Sequence, residues 1–311
     1  MDPSRRAAPR LLTLAAGIAA LAAASPALAC SVCGCGDPLL GSSDPAAITG
    51  RLRLQLDAEY LRVDAANEAD PALTDELTQW SYRVNAVWRP ADALALTLTV
   101  PLVEKDMRMV GGGMSMRASD ATGLGDVEVA ARWTAWRGVN LGVGRVQELA
   151  VSGGASTPTG ENDARSEGAR IDEHGQPGTG GWGPFAGVHY RLEQGKWLAF
   201  ASLSGRAHPE NAHGYRYGAA ALWSVHGQYF PTRRVVLDLG VDGRTAAADT
   251  ASGAAVPSTG GTVLSLSPGV YGNVVGGAWL FLRGQIPFHE RFRGVQDQLP
   301  SIVVGLQYQL I

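Results

Sequence analysis

Arg51-Leu52-Arg53-Leu54-Gln55-Leu56-Asp57-Ala58-Glu59-Tyr60 alternates apolar and polar residues without a break. A strand turns successive side chains to opposite faces. One face therefore carries Leu52, Leu54, Leu56, Ala58 and Tyr60, and the other Arg51, Arg53, Gln55, Asp57 and Glu59. A helix, with its period of 3.6, would mix the two sets. The same period of two recurs downstream. Trp80, Tyr82, Val84, Ala86 and Trp88 oppose Gln79, Ser81, Arg83 and Asn85. Val127, Val129, Ala131 and Trp133 oppose Glu128, Ala130, Arg132 and Thr134, and Val235, Leu237, Leu239 and Val241 oppose Val236, Asp238, Gly240 and Asp242.

Extended along the chain, this reading places strands near 50–62, 78–88, 93–103, 125–136, 144–156, 182–193, 197–207, 217–229, 234–244, 262–274, 278–287 and 300–311. The fifth, seventh and tenth are ambiguous in register. Short links such as Arg89–Asp92, Gly195–Lys196 and Val275–Gly277 alternate with long, polar or glycine-rich ones. An even strand number, short turns on one rim and long loops on the other describe an outer-membrane barrel. The fold expected is all-β: a transmembrane, antiparallel, up-and-down β-barrel of about 12 strands, covering residues 50–311. A soluble β-sandwich would share the alternation but bury the apolar faces.

Composition agrees. Charged residues are 18% of the 311, below the roughly 25% of soluble domains, while 45% are hydrophobic, which excludes disorder. No apolar run reaches the roughly 20 residues of a spanning helix. A net charge of −3 supplies no basic field for nucleic acid, so no nucleic-acid partner is expected.

Arg5, Arg6 and Arg10 precede an apolar stretch from Leu11 to Ala24, and Ala27-Leu28-Ala29 has the A-x-A form of a cleavage site. Residues 1–29 read as a secretory signal peptide. Residues 30–49 then form a periplasmic segment containing all three cysteines, Cys30, Cys33 and Cys35. Three roles are open to that trio: a disulfide with one thiol over, a soft-ion site for copper or zinc, or a lipid anchor on Cys30. Covalent haem would need C-x-x-C-H, and position 34 is glycine.

The polar faces give the lumen-lining set: Arg51, Arg53, Asp57, Glu59, Arg83, Glu128, Arg132, His189, His226, Asp238, Asp242 and Arg283. By parity His189 and His226 point inward, where two histidines could meet across a narrow barrel around a cation. His174, His208, His213 and His289 are assigned to loops. A phospholipase of the barrel type would need a histidine on an apolar face beside a serine, and no such pair is found. No enzymatic activity and no resident cofactor are expected beyond the copper or zinc that the cysteines could hold.

Several spacings resemble one family of Gram-negative outer-membrane proteins, the transporter-like "MetA-pathway of phenol degradation" family. They are Thr99-Val100-Pro101, Gly123-Leu124-Gly125-Asp126, Thr157-Pro158-Thr159-Gly160, Gly178-Thr179-Gly180-Gly181-Trp182 and Gly284-Gln285-Ile286-Pro287, in family order across residues 50–311. The resemblance implies a monomeric outer-membrane barrel that moves a small molecule, and it carries no set of functional residues. Gly305-Leu306-Gln307-Tyr308-Gln309-Leu310 resembles the terminal-strand signal read by the barrel assembly machinery. The expected partners are thus the outer-membrane bilayer, that machinery, and an unidentified small molecule or ion. The expected function is a channel or transporter-like barrel, with a metal-binding or electron-transfer accessory as the alternative.

Overall fold

The computed structural model describes residues 51–67, 70 and 72–310. Twelve long strands run through it: β1 (Leu52–Ala66), β2 (Thr74–Ala91), β3 (Leu94–Gly111), β4 (Glu128–Asn140), β5 (Arg145–Ser156), β6 (Gly183–Gln194), β7 (Trp197–Arg206), β8 (Ala220–Thr232), β9 (Val235–Ala246), β10 (Gly261–Val275), β11 (Ala278–Phe292) and β12 (Ser301–Leu310). Each pairs antiparallel with the next. Leu52 of β1 stands opposite Trp88 of β2 on one side and Leu310 of β12 on the other, so the sheet closes into a barrel.

Exposure separates membrane barrel from soluble sandwich. Leu54, Leu56, Val84, Leu98, Val129, Leu239 and Val304 are exposed on the outer wall, while Arg53, Asp57, Arg83, Gln228, Gln285 and Gln307 are buried inside. This is the inverse of a water-soluble core and the arrangement a lipid solvent demands. The aromatic positions bound the apolar band. Trp88 pairs with Leu52 near the short-turn rim, and Trp80 pairs with Tyr60 eight residues along β1. That run spans about 26 Å of strand, or about 20 Å of height at a tilt near 40°, close to the roughly 25 Å band of outer-membrane barrels. Trp133 and Trp197 continue the girdle on the short-turn rim.

Two expectations are corrected. The third link is no open loop: β3 runs on to Gly111, turns at Gly112 and Gly113, both with positive φ, and returns as an arm over Met114–Leu124. The arm pairs with the outer half of β3, and β4 takes over the inner half. The eleventh link is shorter than expected, because β11 extends to Phe292 and places His289 in a strand opposite Leu264, not in a loop. Gly123 and Gly125 have no positive φ. Close approach requires them instead, since a Cβ on Gly125 would lie 3.0 Å from the Pro101 ring and 3.3 Å from the Pro177 carbonyl oxygen.

Gly305, quoted above for an assembly signal, also has a packing role. The Phe281 ring of β11 lies directly over it, in the space a side chain would need.

Candidate functional site in the lumen

Cross-strand register builds the polar interior. Asp57 and Arg83 are direct neighbours on β1 and β2. Arg83 donates from Nε to Asp57 Oδ1 at 2.6 Å and from Nη1 to Glu59 Oε2 at 2.6 Å. Gln55 Nε2 and Asn85 Nδ2 each donate to Asp57 Oδ2 at 2.9 Å, and Thr99 Oγ1 donates to Asn85 Oδ1 at 2.7 Å, carrying the network to β3. On the next wall Arg206 of β7 pairs with Glu128 of β4, and its guanidinium lies 4.7 Å from the centre of the Phe185 ring. Arg132 reaches Glu148 at 3.5 Å, and Ser152 Oγ lies 2.8 Å from His189 Nε2.

A third network fills β8–β11. His226 places Nδ1 3.2 Å from Asp238 Oδ2 and Nε2 3.2 Å from Asp242 Oδ1, with its ring stacked on Phe200 at 4.7 Å. Ser267 Oγ and Gln285 Nε2 donate to Asp242 Oδ2 at 2.6 and 3.1 Å, and Arg283 Nε lies 3.9 Å from Asp238 Oδ2. Gly240 lies opposite His226, in the space the imidazole covers, so no larger residue fits there without moving the ring.

Between these walls lies a cavity of about 160 Å³. Of the residues expected in the lumen, Arg53, Asp57, Arg83, Glu128, Arg132, His189 and Arg283 line it. Glu59 stands beside it, bound to Arg83. His226, Asp238 and Asp242 are buried in the wall network, and Arg51 precedes β1 and is exposed. His189 and His226 are held by separate partners and are not brought together around a cation. Among the described residues no group of three or more His, Cys, Asp or Glu side chains is arranged to hold a metal ion. Cys30, Cys33 and Cys35 lie outside the described residues.

Sequence reasoning missed Arg206, Phe185, Tyr271 and Phe281, all of which line the cavity. On β7 the inward positions are Leu198, Phe200, Ser202, Ser204 and Arg206, and the outward ones include Trp197 and Leu203. Both faces are apolar near the short-turn rim, so alternation alone gives no sign there.

Above the cavity the long loops fold inward. Lys105, on the inner face of β3 and buried, donates from Nζ to the carbonyls of His174 and Gln176 at 2.8 and 2.7 Å. His174 Nε2 lies 2.9 Å from Tyr215 Oη and 3.0 Å from Asp249 Oδ2. Tyr217 Oη donates to the Glu173 carbonyl at 2.9 Å, and Asn211 Nδ2 to the Thr179 carbonyl at 3.0 Å. The contacts run from β3 to the loop between β9 and β10. Those elements are six places apart in a ring of twelve and stand opposite each other, so the network crosses the outer mouth as a plug.

Burial pushes the Asp249 carboxyl up, but hydrogen bonding and charge from His174, with hydrogen bonds from Tyr215 Oη and the Gly218 N–H, outweigh it. Its pKa is held below the ordinary carboxylate value. A depressed folded pKa gives stability that is complete above the unfolded value, about 4, and is lost as pH falls through the lower folded value. Plug opening, read as protease access to residues 157–182, is therefore expected to be flat from neutral pH to about 4 and to rise only below it. Asp249→Asn should already show raised access at neutral pH.

No family model matches the chain, and no curated protein sequence does. Among solved structures the chain is similar to an outer membrane channel from Pseudomonas putida F1, with a TM-score of 0.64 at 14% identity over 85% of this chain and 98% of that one. It is more distantly similar to the CymD monoaromatic hydrocarbon channel, with a TM-score of 0.40 at 10% identity over 84% of this chain and 89% of that one. The transport unit of the autotransporter AIDA-I from Escherichia coli gives 0.49 at 8% identity, over 86% and 93%. Of these three the first exceeds 0.5, and it shows the fold: an outer-membrane β-barrel.

Proposed function

We propose that the chain is a passive channel for a small solute, with the lumen cavity as the transit site. The observation that carries this reading is a cavity of about 160 Å³ walled by ionic and aromatic side chains, inside a barrel whose outer face is apolar. A twelve-stranded ring is wider than the side-chain-filled eight-stranded barrel and narrower than the aqueous 16–18-stranded porin. Inward ion pairs and the plug narrow it further. Planar-bilayer recording of the full chain should give steps far below those of a porin. Lys105→Met, which removes the latch on residues 174–176, should raise them. Large unselective steps from the unaltered protein would contradict the reading, as would proteoliposomes no more permeable than protein-free vesicles.

The density of Cys30, Cys33 and Cys35 supports a second, separate role in binding copper(I) or zinc. Purified protein should then show thiolate charge-transfer absorption on titration with either ion. Cys33→Ser with Cys35→Ser should abolish the absorption while the barrel still assembles. A metal-free Cys33–Cys35 disulfide in native protein, seen by mass spectrometry, would overturn that role.

A further inference from the structure

The geometry points to a small organic carboxylate with an apolar body as the solute that the lumen cavity takes. This rests on the channel reading above and names the chemistry of its cargo. Five guanidinium groups, those of Arg53, Arg83, Arg132, Arg206 and Arg283, line the cavity, against two carboxylates, Asp57 and Glu128. The other acids nearby hold the arginines from beyond the lining: Glu59 grips Arg83, Glu148 lies 3.5 Å from Arg132, and Asp238 lies 3.9 Å from Arg283. Wall charge is thus close to balanced overall, but it is layered, with cations toward the cavity and part of their counter-charge behind them. A guanidinium offers five N–H donors in a planar fork that suits a carboxylate.

The apolar half of the argument comes from the same cavity. Phe185, Leu222, Tyr271, Phe281 and Val303 line it together with the arginines. Tyr271, Phe281 and Val303 pack with Val236 into one buried cluster, against which Phe230 and Trp279 also rest. The pairing of charge with ring is already realised in the wall, where the Arg206 guanidinium lies 4.7 Å from the Phe185 ring centre. A dry cavity of about 150 Å³ accommodates benzene, so a volume of this order fits one ring-sized body with a single charged group. A hydrated inorganic ion would make no contact suited to the apolar wall, and a neutral hydrocarbon none suited to the arginine layer.

The experiment uses the purified full chain with benzoate as probe and neutral benzamide, of nearly the same shape, as control. Equilibrium dialysis should show saturable benzoate binding and at least about tenfold weaker benzamide binding, the loss expected when a charge-assisted hydrogen bond is replaced by a neutral one. Arg132→Gln should weaken benzoate and leave benzamide unchanged, while Arg132→Lys, which keeps the charge but not the planar fork, should retain only part of the benzoate binding. Arg53→Gln is the second variant, should the first fail to assemble. In bilayers under a salt gradient the zero-current potential should have the sign of anion preference. A conducting channel with cation or no preference, or equal binding of benzoate and benzamide, would overturn the carboxylate assignment and leave the channel reading standing. Absence of any solute or ion flux would overturn the channel reading, and the assignment with it.

Discussion

Replacing Leu56 by arginine is expected to abolish assembly, while Gln55→Arg, one residue away, leaves it intact. Leu56 lies midway between Leu52, level with Trp88, and Tyr60, level with Trp80, and so sits near the centre of the apolar band. It is 54% exposed, and that exposure is to lipid. An arginine there costs about 2–4 kcal/mol at the bilayer midplane. Net stabilities of folded domains are only about 5–15 kcal/mol, and assembly must also compete with aggregation of the unfolded chain. Gln55 faces the lumen and lines the cavity, where a guanidinium has room and the Asp57 carboxylate for a partner. Heat-modifiable gel mobility separates folded from unfolded barrel and reads both variants directly. Val129→Arg and Thr134→Arg form the same contrast on β4, with Val129 exposed outward and Thr134 bonded inward to Glu148. Equal tolerance of both faces would sink the assignment of inside and outside.

How much of this was legible in the sequence depended on where each residue sits relative to the membrane. Within the band, lipid on one side and polar lumen on the other enforce a period of two, and the strand positions read from that period coincide with the observed ones to within a few residues, save at the outer ends of β3 and β11, which run eight and five residues further. Beyond the band the enforcement ends. The Met114–Leu124 arm alternates only briefly, over Met114–Ser119, buries little beyond Ser119 and Ala121, and reads as loop although it is a paired strand. Inside a narrow barrel the enforcement weakens in another way. Leu198, Phe200, Tyr271 and Phe281 point inward yet are apolar, because side chains must fill the lumen as they fill a core, and this blurred the register of β7 and β10. Lys105 was invisible for a third reason. Its partners are backbone carbonyls of His174 and Gln176, some seventy residues away, and no side-chain pattern announces a carbonyl.

The lumen networks are where a single substitution should cost most. Arg83→Met keeps much of the side chain's bulk but removes the guanidinium bonded to both Asp57 and Glu59. Those carboxylates have side-chain exposures of 2% and 12%, so neither can recover its hydration by turning to water. Removing one partner of a buried ion pair typically costs about 3–5 kcal/mol, because the remaining charge stays desolvated. Replacing the whole constellation is a different matter: Arg83→Met combined with Asp57→Asn and Glu59→Gln leaves no charge behind, and a neutral network can be nearly as stable as the ionic one. The urea midpoint of folded barrel in detergent should therefore fall strongly in the single variant and recover most of the way in the triple. A single variant as stable as the parent would show that water reaches Asp57 and Glu59 from the cavity, and that Arg83 faces a hydrated lumen rather than a sealed wall. Recovery in the triple variant separates a role in holding the barrel shut from a role in contacting solute: restored stability with lost solute selectivity assigns Arg83 to the cavity surface, and restored stability with selectivity unchanged assigns it to the wall.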